Sequence, residues 1–112
     1  SQVEEFRKTF EERRKLIVGL LNDIDGVSCR TPGGAFYAFP NVKGLLGRTY
    51  DGEKVDKSLR LSELLLEKKH IAVTPGSAFG AEGYLRFSYA LSEKSIRQGV
   101  QRLADFAAKG RG

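Results

Sequence analysis

The chain has 112 residues, 40% of them hydrophobic, with seven Phe and four Tyr, which supplies one small core and excludes two. Its net charge of +5 is spread through segments such as FRKTFEERRK, where both signs alternate as on a solvated helix face, so a polyanion-gripping block is not indicated. A single cysteine, Cys29, rules out an intrachain disulfide, no Cys/His cluster offers a metal site, and no apolar run reaches membrane-spanning length.

Val3, Phe6, Phe10, Ile17, Leu20, Leu21 and Ile24 recur at three-and-four spacing, which predicts an amphipathic helix from about residue 2 to Asn22. Gly26 in DIDGV is suited to the left-handed turn beyond it. VSCRT then reads as a short strand and AFYAFPNV as a second, joined by Thr31-Pro32-Gly33-Gly34 into a hairpin-like unit. In the second strand Phe36 and Ala38 share one face, Tyr37 and Phe39 the other. Residues 44–54 read as loop. A second helix is predicted from about Asp56 to Lys69, capped by Asp56 or Ser58, with Leu61, Leu64, Leu65 and Lys68 on one stripe.

IAVTP follows as a brief strand, GSAFGAEG as a loop and YLRFSYAL as a strand. Alternation in that strand sends Tyr84, Arg86, Ser88 and Ala90 to one face and Leu85, Phe87, Tyr89 and Leu91 to the other. Ser92 caps a last helix whose Ile96, Val100, Leu103 and Ala107 point inward, and the basic tail AAKGRG is expected to fray. The order predicts an α+β fold: one two-layer domain over residues 1–112, with a small, mostly antiparallel sheet covered by three helices. The chain holds no methionine and opens inside a helical pattern, so it is expected to be a piece of a longer protein. A soluble, cytoplasmic protein contacting neither membrane nor nucleic acid is expected.

One phrase nearly repeats, TPGGAF at 31–36 and TPGSAF at 74–79. Read from the residues alone, both are strand-ending turns, because Pro fixes one torsion and Gly permits the positive one that follows. Neither is a phosphate-binding glycine loop. His70, the single histidine, sits at a helix end, where a polar group suits the negative pole. Cys29 has no activating base near it in sequence and reads as a small strand residue. Tyr37, Tyr50, Tyr84 and Tyr89 are expected to be exposed residues that serve mainly in packing.

TPGGAFYAFPNV followed at a distance by IAVTPGSAFGAEGYLRFSYA resembles the C-terminal small domain of the pyridoxal-phosphate-dependent aminotransferases, in the aspartate aminotransferase group. The likeness spans essentially all 112 residues, and its most specific part runs from Pro75-Gly76 through Phe79-Gly80 and Gly83 to Arg86-Phe87-Ser88. It implies that Arg86 binds the α-carboxylate of amino-acid and 2-oxo-acid substrates, with Phe36, Gly76 and Ser77 shaping the approach. A guanidinium fork matches the two oxygens of a carboxylate in a way that lysine does not. It further implies that pyridoxal 5'-phosphate, and the lysine that carries it, belong to a large domain upstream in the same chain of a homodimeric parent. No lysine in this chain lies in a context resembling that one, so the piece alone is expected to be inert, serving as part of a substrate clamp and lid.

Two rivals arise. A small RNA-binding α+β module fits the run GGAFYAF, but that run lacks a leading basic residue and is cut short by Pro40. An effector-sensing aminotransferase-like domain of a transcriptional regulator would retain Arg86.

Overall fold

The computed structural model describes residues 2–30, 37–89 and 92–111. The elements in chain order are α1 (Gln2–Asn22), β1 (Tyr37–Ala38), a 3-10 turn (Lys43–Leu45), β2 (Arg48–Tyr50), β3 (Glu53–Val55), α2 (Ser58–Lys69), β4 (Thr74–Pro75), a second 3-10 turn (Gly76–Phe79), β5 (Leu85–Ser88) and α3 (Glu93–Ala107). The Thr31-to-Phe36 stretch, Ala90 and Leu91, and the side chains of Val3 and Phe6, lie outside the described residues.

Strands β1, β5 and β4 form an antiparallel sheet in that order. Its inner face carries Ala38, Leu85 and Phe87, and Tyr89 just beyond β5 is buried with them. Against that face pack Ile17 and Leu21 of α1, Leu61, Leu64 and Leu65 of α2, and Ile96, Val100, Leu103, Phe106 and Ala107 of α3. The alternation read from YLRFSYAL is therefore the one the fold uses: Leu85, Phe87 and Tyr89 are buried, while Tyr84, Arg86 and Ser88 stay half-buried. Ser92 caps α3 as expected, its hydroxyl accepting from Ser95 N–H at 3.1 Å. Gly26 takes a φ of +90° in the turn after α1.

Several expectations are corrected. Among the described residues of VSCRT the strand shrinks to one bridge, in which Ser28 and Asn41 exchange backbone hydrogen bonds of 3.0 and 2.6 Å. Asn22 explains why no ladder continues on its other edge. The Asn22 amide donates to the carbonyl of Cys29 and accepts its N–H, both at 2.8 Å, occupying the groups a neighbouring strand would need.

The supposed loop at 44–54 holds a hairpin, β2 paired with β3, turned by Asp51 and Gly52 at φ +51° and +85°. Two positive torsions in succession match the twist of the flanking strands, which is why Asp-Gly suits that position. Tyr50, expected to be exposed, is 1% exposed; it stacks on Phe106 at 4.6 Å and its hydroxyl donates to Leu45 O at 2.6 Å. Tyr89 is buried as well.

Neither Asp56 nor Ser58 caps α2. Lys57 holds the cap position without a side-chain bond, and His70 ends the helix in a left-handed conformation, φ 56°. Lys68 lies off the buried stripe and pairs with Asp51 at 3.0 Å. The tail does not fray at Arg111, which exchanges hydrogen bonds of 2.8 and 3.0 Å with Thr49.

Candidate functional site

Pairing fixes which side chains share the outer face of the sheet. Tyr37 stands opposite Ser88, Asn41 opposite Tyr84, and Thr74 opposite Arg86. The register shared by the first two pairs sets Phe39 across from Arg86, because directly opposed residues of an antiparallel pair project to the same side. This face thus gathers Thr74, Arg86, Phe39, Tyr37 and Tyr84 from three strands.

Arg86 is half-buried at its centre. Its guanidinium carbon lies 4.5 Å from the centre of the Tyr37 ring, and Nη2 donates to Thr74 Oγ1 at 3.3 Å. Among the described residues no carboxylate pairs with it. Cation–π contact holds a guanidinium in place while leaving most of its five donors unspent. Phe39 meets Phe79 edge-on at 5.6 Å, so the turn after β4 adds a ring beside the strand. Tyr37, Phe39 and Phe79 are each about two-fifths exposed, at 38, 39 and 38%. The arrangement is one fixed cation framed by aromatic rings, suited to a small anion with an apolar body.

Gly76 is buried, and its N–H donates to Tyr84 O at 2.7 Å while its carbonyl accepts from Ala81 N–H at 2.8 Å. With both backbone groups engaged, it shapes the turn next to Thr74. Ser77 is exposed, and its N–H points to Ser58 Oγ at 3.4 Å. Phe36 lies outside the described residues. The fold thus brings Arg86 and the Gly76–Ser77 corner together. Tyr37 and Thr74, read from sequence as packing and as plain strand, turn out to be the contacts of Arg86. Alternation could have flagged Tyr37; Thr74 needed the pairing register.

His70 is exposed at the end of α2, where it closes the helix in a left-handed conformation. Cys29 is buried, and that burial pushes its thiol pKa up from the ordinary value, the reverse of what a nucleophile needs. Among the described residues no group of three or more His, Cys, Asp or Glu is placed to hold a metal.

Residues 1–103 match the family described as aminotransferase class I and II. The chain belongs to this family. It is 50% identical over 101 residues to an aspartate aminotransferase of Streptomyces avermitilis, covering 90% of this chain and 25% of that one. It is 46% identical over 101 residues to a probable aspartate/prephenate aminotransferase of Aquifex aeolicus, covering 90% and 24%. The crystal structure of the Rhizobium meliloti aspartate aminotransferase superimposes with a TM-score of 0.95 at 38% identity, covering 99% of this chain and 28% of that one. The chain thus spans about a quarter of the length of the aminotransferases it matches.

Among the described residues, the groups in contact with Arg86, namely Thr74 and Tyr37, include neither a lysine to carry pyridoxal 5'-phosphate nor a carboxylate to hold its ring nitrogen. This face does not by itself form a seat for that cofactor. What it offers is a wall with a cation on it.

Proposed function

We propose that this chain is the C-terminal small domain, residues 1–112, of a pyridoxal-phosphate-dependent aminotransferase acting on amino-acid and 2-oxo-acid substrates. The observation that carries the proposal is Arg86, a guanidinium that no carboxylate pairs with among the described residues, held over Tyr37 beside Thr74 on a sheet face rimmed by Phe39 and Phe79. Family membership supports it, and so do relatives named for aspartate or aspartate/prephenate. Aspartate is the substrate those names favour. The RNA-binding reading has no comparable support.

In this proposal the large domain of the same chain, in a cytoplasmic homodimer, holds the cofactor. The small domain captures the α-carboxylate on Arg86, with Phe36, Gly76 and Ser77 shaping the approach. The surrounding rings exclude water and so strengthen the ion pair. Fixing one end of the substrate orients its Cα, and closure of the domain as a lid holds that geometry.

The test uses the full-length enzyme. Arg86→Ala is expected to cost roughly 2 to 5 kcal/mol in kcat/KM for both the amino acid and the oxo acid. Arg86→Lys, which keeps charge but not the planar fork, is expected to recover only part of that loss. Near-normal efficiency in the alanine variant would refute the assignment, and turnover by the isolated 112-residue chain would refute its inertness.

A further inference from the structure

The start of α2 lacks a cap of its own. Lys57 occupies the cap position with φ −126° and ψ 146° and makes no side-chain bond to the helix. The missing acceptor comes from the loop before β5: Ser58 N–H donates to Glu82 Oε1 at 2.6 Å, and Ser58 Oγ donates to Glu82 Oε2 at 3.0 Å. A carboxylate there also faces the positive pole of the helix. Ser58, at 0% exposure, receives a third strand of the network, because Ser77 N–H donates to its Oγ at 3.4 Å. Three segments therefore meet at one buried hydroxyl.

Both routes out of this junction end at Arg86. Along the chain, Glu82 is followed by Gly83, whose carbonyl is held by Val42 N–H at 2.8 Å, and then by Tyr84 and β5. Through the junction, Ser58 leads to Ser77 and back along the turn to Thr74, the hydroxyl that contacts Arg86. Gly76 N–H to Tyr84 O, 2.7 Å, closes the ring between the two routes. Without the carboxylate the Gly83–Tyr84 side loses its tie to α2 and only the 3.4 Å bond from Ser77 still joins the turn to the helix, so Thr74 and Arg86 lose a common anchor.

We infer that Glu82 is a positioning residue for Arg86, tying the Gly76–Gly83 segment to the N-terminus of α2 so that the guanidinium is set before substrate arrives. This rests on the reading of Arg86 as the carboxylate-binding group. A mere helix cap would have the same contacts at Ser58, so the test separates the two roles.

In the full-length enzyme, Glu82→Ala is expected to raise KM for the amino acid and the oxo acid about tenfold with kcat within about twofold, the split expected when ground-state capture is what suffers. Adding Lys57→Asp supplies α2 with a local cap, and is expected to restore the melting temperature while leaving KM high. Ser58→Ala keeps the backbone bond to Glu82 but removes the link to Ser77, and is expected to raise KM as well; it serves if Glu82→Ala does not fold. Recovery of KM along with stability in the Lys57→Asp background, or unchanged KM in both Glu82→Ala and Ser58→Ala, overturns the inference. Arg86→Ala run alongside keeps the failures apart: unaffected KM there sinks the underlying reading, whereas raised KM there with normal Glu82 and Ser58 variants sinks only the positioning role.

Discussion

A methyl group added at Gly76 would overlap the carbonyl oxygen of Ala81 and come within 2.6 Å of that of Tyr84. Both oxygens belong to backbone already fixed by hydrogen bonds, so neither neighbour yields. Gly76→Ala is therefore expected to destabilise the fold by about 3 kcal/mol or more, read from a denaturant transition. Gly80, by contrast, has open space around it and a φ of +77°, so the same substitution there carries only the backbone strain, about 1 kcal/mol. A larger loss at Gly80 than at Gly76 would contradict this account. The sequence showed that Gly76 follows Pro in a turn. That its Cα lies against two carbonyls became visible only once the turn was folded back onto β5.

At the scale of elements, the β2–β3 hairpin is fastened to α2 by charge. Glu53 accepts from Arg60 Nε at 2.6 Å and Nη2 at 3.0 Å, and Asp51 pairs with Lys68 at 3.0 Å. The hydrogen bonds from those cations hold both carboxyls below their ordinary values of 4.5 and 3.8. A depressed carboxyl stabilises the folded state above its unfolded pKa, and that contribution disappears as pH falls through the folded value. An acid limb beginning near those values is expected in the melting temperature, small because the pairs are exposed, and weaker at high salt. Arg60→Met should make it shallower; an unchanged limb would remove the Glu53–Arg60 pair as a cause. Asp-Gly at 51–52 carried the turn signal, but three-residue strands bearing Arg48, Glu53 and Lys54 show little apolar alternation, so the hairpin was not legible from periodicity.

For the whole molecule, the alkaline side is set from within the core. Burial raises the pKa of the Cys29 thiol and, despite the opposing charge of Arg48, that of the Tyr50 hydroxyl, from ordinary values of 9.0 and 10.0. In both cases the unfolded chain loses its proton first, so stability falls as pH rises above those values. The melting temperature is expected to begin dropping near the ordinary thiol value of 9.0 and to go on dropping above 10.0, and Cys29→Ala should make the early part of that drop shallower. An identical profile in the variant would show that Cys29 contributes nothing to it. The sequence by itself determined the three amphipathic helices, the cap at Ser92 and the faces of the Arg86 strand, because each follows from a period of 3.6 or 2 within a dozen neighbouring residues. It also carried the motif from Pro75 to Ser88 by which the family resemblance was read. Tertiary structure alone decided what touches what across long separations: Tyr37 and Thr74 against Arg86, Glu82 beneath α2, and Asn22 standing in for a strand. Those partners lie seven to several tens of residues apart, and strand register and helix placement, which no local pattern encodes, bring them into contact.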